Sequence, residues 1–422
     1  MIKNWTLDNK AKLVVEEIPY LKSAAVGIYI KVGSRHEPSH LSGGSHFIEH
    51  MLFKGTARRS AREIAESFEE IGGQLNAYTS KEHTCVYART LDEHLEAGMD
   101  IIFDMIFNSA FSERDFETEK GVVIEEINMY EDTPDDLIHD VFAQKMWQGH
   151  SMGLPILGTA DSVSSFDREQ VFAFYRQNYV PSNMVIAVAG NVDSQQVKEQ
   201  VEYHLQGKNL DEVNLPQSTP QPSSPFTNMV VKDTEQVQIC LGVPGISYFD
   251  DRRFAQNIMN SILGGGLSSR LFQALREERG LAYSVYSSPS NYSDTGAFSI
   301  YVGTGPNKLN SFFEVLHHEL DRFIREGVTA EEVQRTKQLI KASMYMGLES
   351  VMNRMTRLGK ALLMYDRLVT VEEVMDRILA VSPEDVHQFA HDLLNPEKFS
   401  LAAIGTEEAL AAVENEYKRW WS

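Results

Sequence analysis

Apolar residues along this chain fall into two kinds of run. Short strand-like stretches lie at residues 12–17 and 23–32, both rich in Val and Ile, and at 74–80, 84–88 and 184–189, and again at 229–232, 236–243, 283–288 and 297–302. They have the composition of β-strands. Longer stretches at 93–107, 112–130, 309–325 and 330–346 repeat their apolar positions at helical spacing. Two helix starts carry capping pairs, Ser60 with Glu63 and Ser112 with Asp115. Strands, then helices, then a last helix–strand step predict an α+β fold of mostly antiparallel sheets packed with helices.

The pattern occurs twice. Glu169, Val171, Phe174, Pro181, Ala187 and Gly190 recur as Glu384, Val386, Phe389, Pro396, Ala402 and Gly405, each 215 residues further on. Six matches in one ungapped register predict an internal duplication. Residues 210–226 between the repeats are polar, with Pro216, Pro220, Pro222 and Pro225 among Ser and Gln, as in a solvated linker. A chain of 422 residues is long enough for two cores. The expected division is a first domain at 1–209, a linker at 210–226 and a second domain at 227–422.

One short run carries chemistry. His46-Phe47-Ile48-Glu49-His50 places two imidazoles and a carboxylate at i, i+4 and i+3 of one helix face. Two neutral imidazoles on one stripe reach a single zinc ion, and Glu49 stays close enough to take a proton from water. A bare H-x-x-E-H also arises on ordinary helix surfaces. Here Gly43-Gly44-Ser45 permits a sharp helix entry with Ser45 as cap, and Phe47, Met51, Leu52 and Phe53 would bury the helix.

A hydrolytic zinc needs a third protein ligand and an open position. Glu119 and Glu126 are seven residues apart on the helix predicted at 112–130, so both fall on one stripe. Glu125 points about a third of a turn away. Glu126 is the better candidate for the ligand and Glu119 for the group that orients a ligand from behind, although on this Glu-rich helix either carboxylate alone also fits a solvated face.

The run His46 to Thr56, HFIEHMLFKGT, resembles the inverzincin metallopeptidases, the family that includes pitrilysin, insulysin and the mitochondrial processing peptidase. Glu126 lies 76 residues after His50, at the family's third-ligand spacing, with Glu119 where the family has another acidic residue. Gly73 to Ser80 resembles the family's edge strand beside the metal, which implies that Asn76 and Ala77 bind an extended peptide. Arg276 and Tyr283 match the pair that these enzymes bring to the site from a C-terminal module. The resemblance implies that Tyr283 hydrogen-bonds the tetrahedral intermediate and Arg276 fixes substrate, supplementing the metal. It also implies a clamshell chamber of four modules. This chain has two, so a homodimer is expected, with Arg276 and Tyr283 completing the other subunit's site.

The second half is expected to be metal-free, because the 215-residue offset carries His46 and His50 onto Ser261 and Gly265. Its Gly264-Gly265-Gly266 run resembles a glycine-rich loop of the processing peptidase's non-catalytic subunit, although a triple glycine is also a plain flexible turn. His36 and His40 flank Pro38 in a loop and are expected at its surface. Cys85 and Cys240 sit in apolar runs and are expected as reduced core residues, and Trp420-Trp421 as a docking anchor or interface contact.

Composition narrows the class. A hydrophobic share of 42% fits a soluble globular protein, and no apolar run is long enough to span a bilayer. No signal-peptide core is present, so a cytoplasmic protein with no membrane partner is expected. A net charge of −21 argues against nucleic acid and is compatible with basic peptides, or with solubility alone. The expected function is a zinc endopeptidase, one Zn2+ per chain, cleaving extended peptides. The alternatives are a non-catalytic scaffold subunit of the same fold and a zinc hydrolase of non-peptide substrates.

Overall fold

A computed structural model describes residues 1–208, 213–215, 218–223 and 225–421. The strands are β1 Ile2–Thr6, β2 Lys12–Glu17, β3 Ser23–Ile30, β4 Gln74–Thr79, β5 Thr84–Leu91, β6 Met184–Gly190, β7 Thr227–Val231, β8 Val237–Pro244, β9 Ala282–Asn291, β10 Gly296–Thr304 and β11 Ser400–Gly405. The helices that matter below are α1 Gly44–Leu52, α2 Glu113–Glu131, α3 Pro134–Met146, α4 Arg253–Leu263 and α5 Val351–Tyr365.

Two compact units form. The first comprises Met1–Asn128, Leu154–Gln217 and Met344–Val369, and the second Met129–Gly153, Ser218–Ser343 and Thr370–Ser422. The first holds a six-stranded sheet in the order β1-β2-β6-β3-β5-β4, and the second a five-stranded sheet in the order β7-β11-β8-β10-β9. In each, one parallel pair (β2 with β6, β7 with β11) is followed by antiparallel pairs up to the edge strand. The second sheet thus repeats the first without β1, as the duplicated sequence predicts. β1 itself escapes the reading of the sequence because its five residues, with alternating exposure, form an edge that buries little.

The compact units are not a simple cut at the linker. Helix α3, from the first half of the sequence, buries Ile138, Val141, Phe142 and Met146 against Cys240, Tyr301, Ala402 and Ile404 of the second sheet. Helix α5, from the second half, buries Val351, Met355, Leu358 and Leu362 against Val14, Ala25, Tyr29 and Val185 of the first. Each sheet therefore has one face covered by a helix that the chain sends across from the other repeat. Apolar periodicity marks such helices but does not say which sheet receives them. Of the linker, Leu210 and Pro216 lie outside the described residues. Its described part has no regular secondary structure, yet Leu215 packs on the first core and Ser218 Oγ bonds His150 Nε2 at 2.7 Å.

Both cysteines are buried and free, and burial pushes each thiol up to about 12. His40 is exposed as expected. His36 is instead half-buried, its Nδ1 accepting the Gly33 N–H at 3.2 Å, and burial with the charge of Arg35 depresses it to about 4. Trp420 and Trp421 pack on the second core, Trp420 stacking on His317 with ring centroids 4.6 Å apart. No helix among the described residues is long and apolar enough to cross a membrane.

The seat of α5 depends on two glycines. A Cβ at Gly27 of β3 would lie 2.4 Å from Met355 Sδ, and one at Gly359 of α5 would lie 2.2 Å from the Tyr29 ring. Gly359→Ala isolates this close approach, because helix propensity alone would make it stabilising by about 1 kcal/mol. It is expected instead to destabilise the first unit by about 1–3 kcal/mol through overpacking, read as a lower midpoint in denaturant unfolding.

Candidate metal centre

Helix α1 is held at its start by a residue that local pattern did not reveal. The chain enters α1 through Gly43 at φ 92°, where a Cβ would lie 2.5 Å from Leu157 O, so only glycine fits. Ser45 is not the cap. It lies within the first turn of the helix. The carboxylate of Glu37 takes that place: the N–H groups of Gly43 and Ser45 donate to Oε2 and Oε1 at 2.8 and 2.7 Å. Burial pushes the Glu37 carboxyl up to about 7, against those backbone hydrogen bonds and the charge of Lys81. Glu37 stands six residues before Gly43 in a run of loops, so no capping-box spacing identifies it.

The apolar side of α1 is fully buried at Phe47, Ile48, Met51 and Leu52. Phe47 meets Phe116 of α2 edge to face, with ring centroids 4.8 Å apart. This contact seats α2 so that Glu119 and Glu126, one and three turns further along, face the histidines.

His46, His50 and Glu126 come together, with one ligand atom from each within 4.8 Å of the others. His46 Nε2 lies 3.8 Å from Glu126 Oε1, and His50 Nε2 lies 3.4 Å from Glu126 Oε2. Tetrahedral zinc with bonds of about 2.0–2.1 Å sets its ligand atoms about 3.3 Å apart, so a small contraction of this trio fits the ion. Behind it, His50 Nδ1 and Glu119 Oε1 are hydrogen-bonded at 2.7 Å, and Glu119 Oε2 pairs with Lys54 Nζ at 2.6 Å. With Nδ1 engaged by a carboxylate, His50 turns Nε2 toward Glu126.

Charge is divided unequally among these groups. Burial and the neighbouring His50 depress His46 to about 4, which leaves it neutral at pH 7, as a ligand must be. Its Nδ1 is buried without a hydrogen-bond partner among the described residues. Burial also works against charge on His50, but the hydrogen bond and charge of Glu119, with Glu126 and Glu49, outweigh it and raise His50. For Glu119, burial is overcome by His50 and Lys54, and the carboxyl is held below its usual range.

Glu49 lies on the same helix, and Thr79 Oγ1 of β4 donates to its Oε2 at 2.5 Å. Burial raises the Glu49 carboxyl, although Thr79 and His50 oppose the shift. β4 is the edge strand of the first sheet, so a row of its backbone groups has no strand partner. Asn76 and Ala77 lie on that edge, and Asn76 Oδ1 accepts the Ala77 N–H at 2.8 Å. Thr79 was absent from the expected site because its place depends on the packing of α1 over β4.

Arg276 and Tyr283 lie in the second unit and are brought to each other. The guanidinium of Arg276, on the helical turn Phe272–Glu277, sits 5.4 Å from the centroid of the Tyr283 ring, and Tyr283 is 75% exposed on β9. The metal trio lies wholly in the first unit. Ser261 and Gly265, the counterparts of the zinc histidines, sit at the end of α4 and just after it. Ser261 Oγ only donates back to Asn257 O at 2.9 Å. The triple glycine ends α4, and a Cβ at Gly264 would lie 2.6 Å from Ser287 N.

Comparison with known proteins accounts for both halves. Residues 12–160 match the family profile described as Insulinase (Peptidase family M16), and residues 165–340 the profile described as Peptidase M16 inactive domain. The uncharacterized zinc protease YmxG of Bacillus subtilis is 42% identical over 408 residues, covering 96% of this chain and 98% of its own. An uncharacterized zinc protease of Streptomyces coelicolor is 39% identical over 415 residues, 96% of this chain and 89% of its own. Among solved structures, a protease from Helicobacter pylori superposes with a TM-score of 0.91 at 23% identity, over 96% of this chain and 99% of its own. A Pseudomonas fluorescens structure described as peptidase M16 inactive domain gives 0.89 at 20% identity, over 96% and 98%. At these identities the structural likeness shows the fold.

Two measurements check the electrostatics of the centre. Because zinc displaces a proton from His50, whose folded value lies above the ordinary 6.5, zinc affinity should fall about tenfold per pH unit below that titration. Glu119→Gln removes the group that raises His50, so the onset of the loss should move to lower pH in a competition titration. Glu37→Ala leaves two buried N–H groups without acceptors and should destabilise the first unit by about 2 kcal/mol, whereas Glu37→Gln keeps an acceptor and should recover part of the loss in thermal melts.

Proposed function

Because the chain belongs to the M16 peptidase family, we propose that it is a zinc-dependent endopeptidase that cleaves extended peptides inside a closed chamber. The observation that carries this reading is the convergence of His46, His50 and Glu126 within 4.8 Å, with Glu49 on the same turn of α1. Zinc, when bound by these three residues, one ion per chain, supplies Lewis acidity toward the scissile carbonyl and toward water.

The protein's own groups do the rest. Glu49 takes the proton of the attacking water and later delivers it to the leaving amine. Its raised pKa suits both roles, and the hydrogen bond from Thr79 fixes one carboxylate oxygen so that the other faces the reaction. Glu119 holds His50 in the tautomer that offers Nε2. Substrate adds to the free edge of β4 beside Asn76 and Ala77, with backbone hydrogen bonds that tolerate many sequences. Ala77 N–H, now bonded to Asn76 Oδ1, would exchange that partner for a substrate carbonyl.

Tyr283 stabilises the developing oxyanion and Arg276 holds the substrate. Their exposure and mutual contact suit a pair that acts on a group outside its own unit. In this reading two chains assemble as a homodimer, in the cytoplasm, and each lends Arg276 and Tyr283 to the other's zinc site.

A second reading has one observation in its favour. The second half matches a profile described as an inactive domain, which fits a non-catalytic scaffold subunit. The intact trio in the first half weighs against it. About one zinc per chain, lost in His50→Ala, would separate the two.

Glu49→Gln should lower kcat on a quenched fluorescent peptide by at least about 100-fold with zinc retained; a fall of less than about tenfold would sink the general-base assignment. Mixing Glu49→Gln with Tyr283→Phe chains tests the shared site. Each mixed dimer would hold one intact site, so about a quarter of wild-type activity should return. No recovery in a mixture shown by mass to have exchanged subunits would remove the assignment of Tyr283 to the partner's site.

A further inference from the structure

The two faces of β4 differ in charge. Leu75 and Ala77 point to the face covered by α1, where Thr79 meets Glu49. Gln74, Asn76 and Tyr78 point to the opposite face, because successive side chains alternate across a sheet. Their neighbours on β5, directly opposite, are Arg89, Tyr87 and Cys85. On this face α5 packs across β2, β6 and β3. It stops short of the edge, where Asn76 and Arg89 are exposed and Tyr78 and Tyr87 half-buried.

Two cations bound this strip. Arg89 lies at one end beside Gln74. At the other, α5 extends Lys360 so that its Nζ lies 5.8 Å from the centroid of the Tyr78 ring. Neither has a carboxylate within ion-pair distance among the described residues, in a protein with 60 acidic residues against 39 basic ones. Within α5, Arg354, Arg357 and Lys360 recur every three residues and no acidic residue occurs. Arg354 is taken up by Glu16 at 2.5 Å and Arg357 by Val369 O at 2.7 Å, which leaves Lys360 to the edge strand.

We propose that this strip is a substrate subsite that selects carboxylate side chains four residues apart in a peptide bound along β4. The proposal rests on the peptidase reading above. A strand added to the edge of β4 would place residues opposite Gln74, Asn76 and Tyr78 on this face, spaced by about 6.7 Å. The first and third of these meet Arg89 and Lys360, and the middle one meets Asn76 and the Tyr87 ring. The net charge of the whole molecule acts on cationic peptides at long range, whereas the strip acts at contact and favours the opposite sign. Lys360 and Arg89 are specificity residues here, apart from the bond-breaking groups.

The test uses zinc-loaded full-length protein and quenched fluorescent decapeptides of matched composition, carrying either two Glu or two Lys four residues apart. Wild type should favour the Glu pair by about tenfold in kcat/KM at low salt, from two half-exposed ion pairs. The preference should collapse in Arg89→Ala/Lys360→Ala and reverse in Arg89→Glu/Lys360→Glu, with zinc content unchanged. Indifference of the wild type, or a Glu preference that survives the charge reversal, would overturn the subsite. Binding of the same peptides to Glu49→Gln, followed by fluorescence anisotropy, separates this from the function. If wild type cleaves nothing but Glu49→Gln binds the Glu pair better, and charge reversal abolishes that, the subsite stands and the peptidase reading falls. If binding shows no charge preference either, the subsite falls.

Discussion

The contact between His50 Nδ1 and Glu119 Oε1, 2.7 Å long and largely out of water, is what turns a helix face into a ligand set. An isolated imidazole on α1 would be free to rotate and to choose either tautomer. Glu119 removes both freedoms, and Lys54 at 2.6 Å from its other oxygen keeps it charged in spite of burial. His50 Nε2 is thereby aimed at Glu126. The same pair sets a proton competition at the site, since a carboxylate that orients a histidine also makes it a better base. His46 is the counterweight: burial first, and the neighbouring His50 second, hold it neutral without help.

Around this contact, α1 is held from three directions. Glu37 fixes its first turn, Phe116 and Phe166 close on Phe47, and Thr79 joins Glu49 to the edge of the sheet. A general base and an edge strand that share one hydrogen bond are coupled geometrically, so a peptide laid on the edge arrives at a defined height over Glu49. Preorganisation of this kind needs rigid elements rather than loops. β4 and α1 are both buried against the first core on one side.

The duplication explains the asymmetry between the halves. One sheet topology was used twice, and the helix counterpart of α1 in the second unit, α4, ends in three glycines where the first unit continues with a histidine. What remains there is Arg276 stacked over an exposed Tyr283. The exchanged helices make each unit depend on chain from both repeats. Neither half of the sequence alone contains all the surface that covers its own sheet, which argues that the two units are not independent folding pieces.

Local pattern determined much of this protein. Strands β2 to β10, the α+β class, the caps at Ser60 and Ser112, the repeat and the stripe of His46, Glu49 and His50 follow from spacing along the chain, because residues on one helix face or one strand face are fixed by period alone. The pairing of Glu119 with Glu126 on α2 is of the same kind. Tertiary structure decided the rest: Glu37 rather than Ser45 at the head of α1, Thr79 on Glu49, Lys54 on Glu119, the half-buried state of His36, and the crossing of α3 and α5 to the other repeat's sheet. These contacts join segments whose partner is chosen by how buried surfaces fit, and a period read along one segment carries no information about which other segment will cover it.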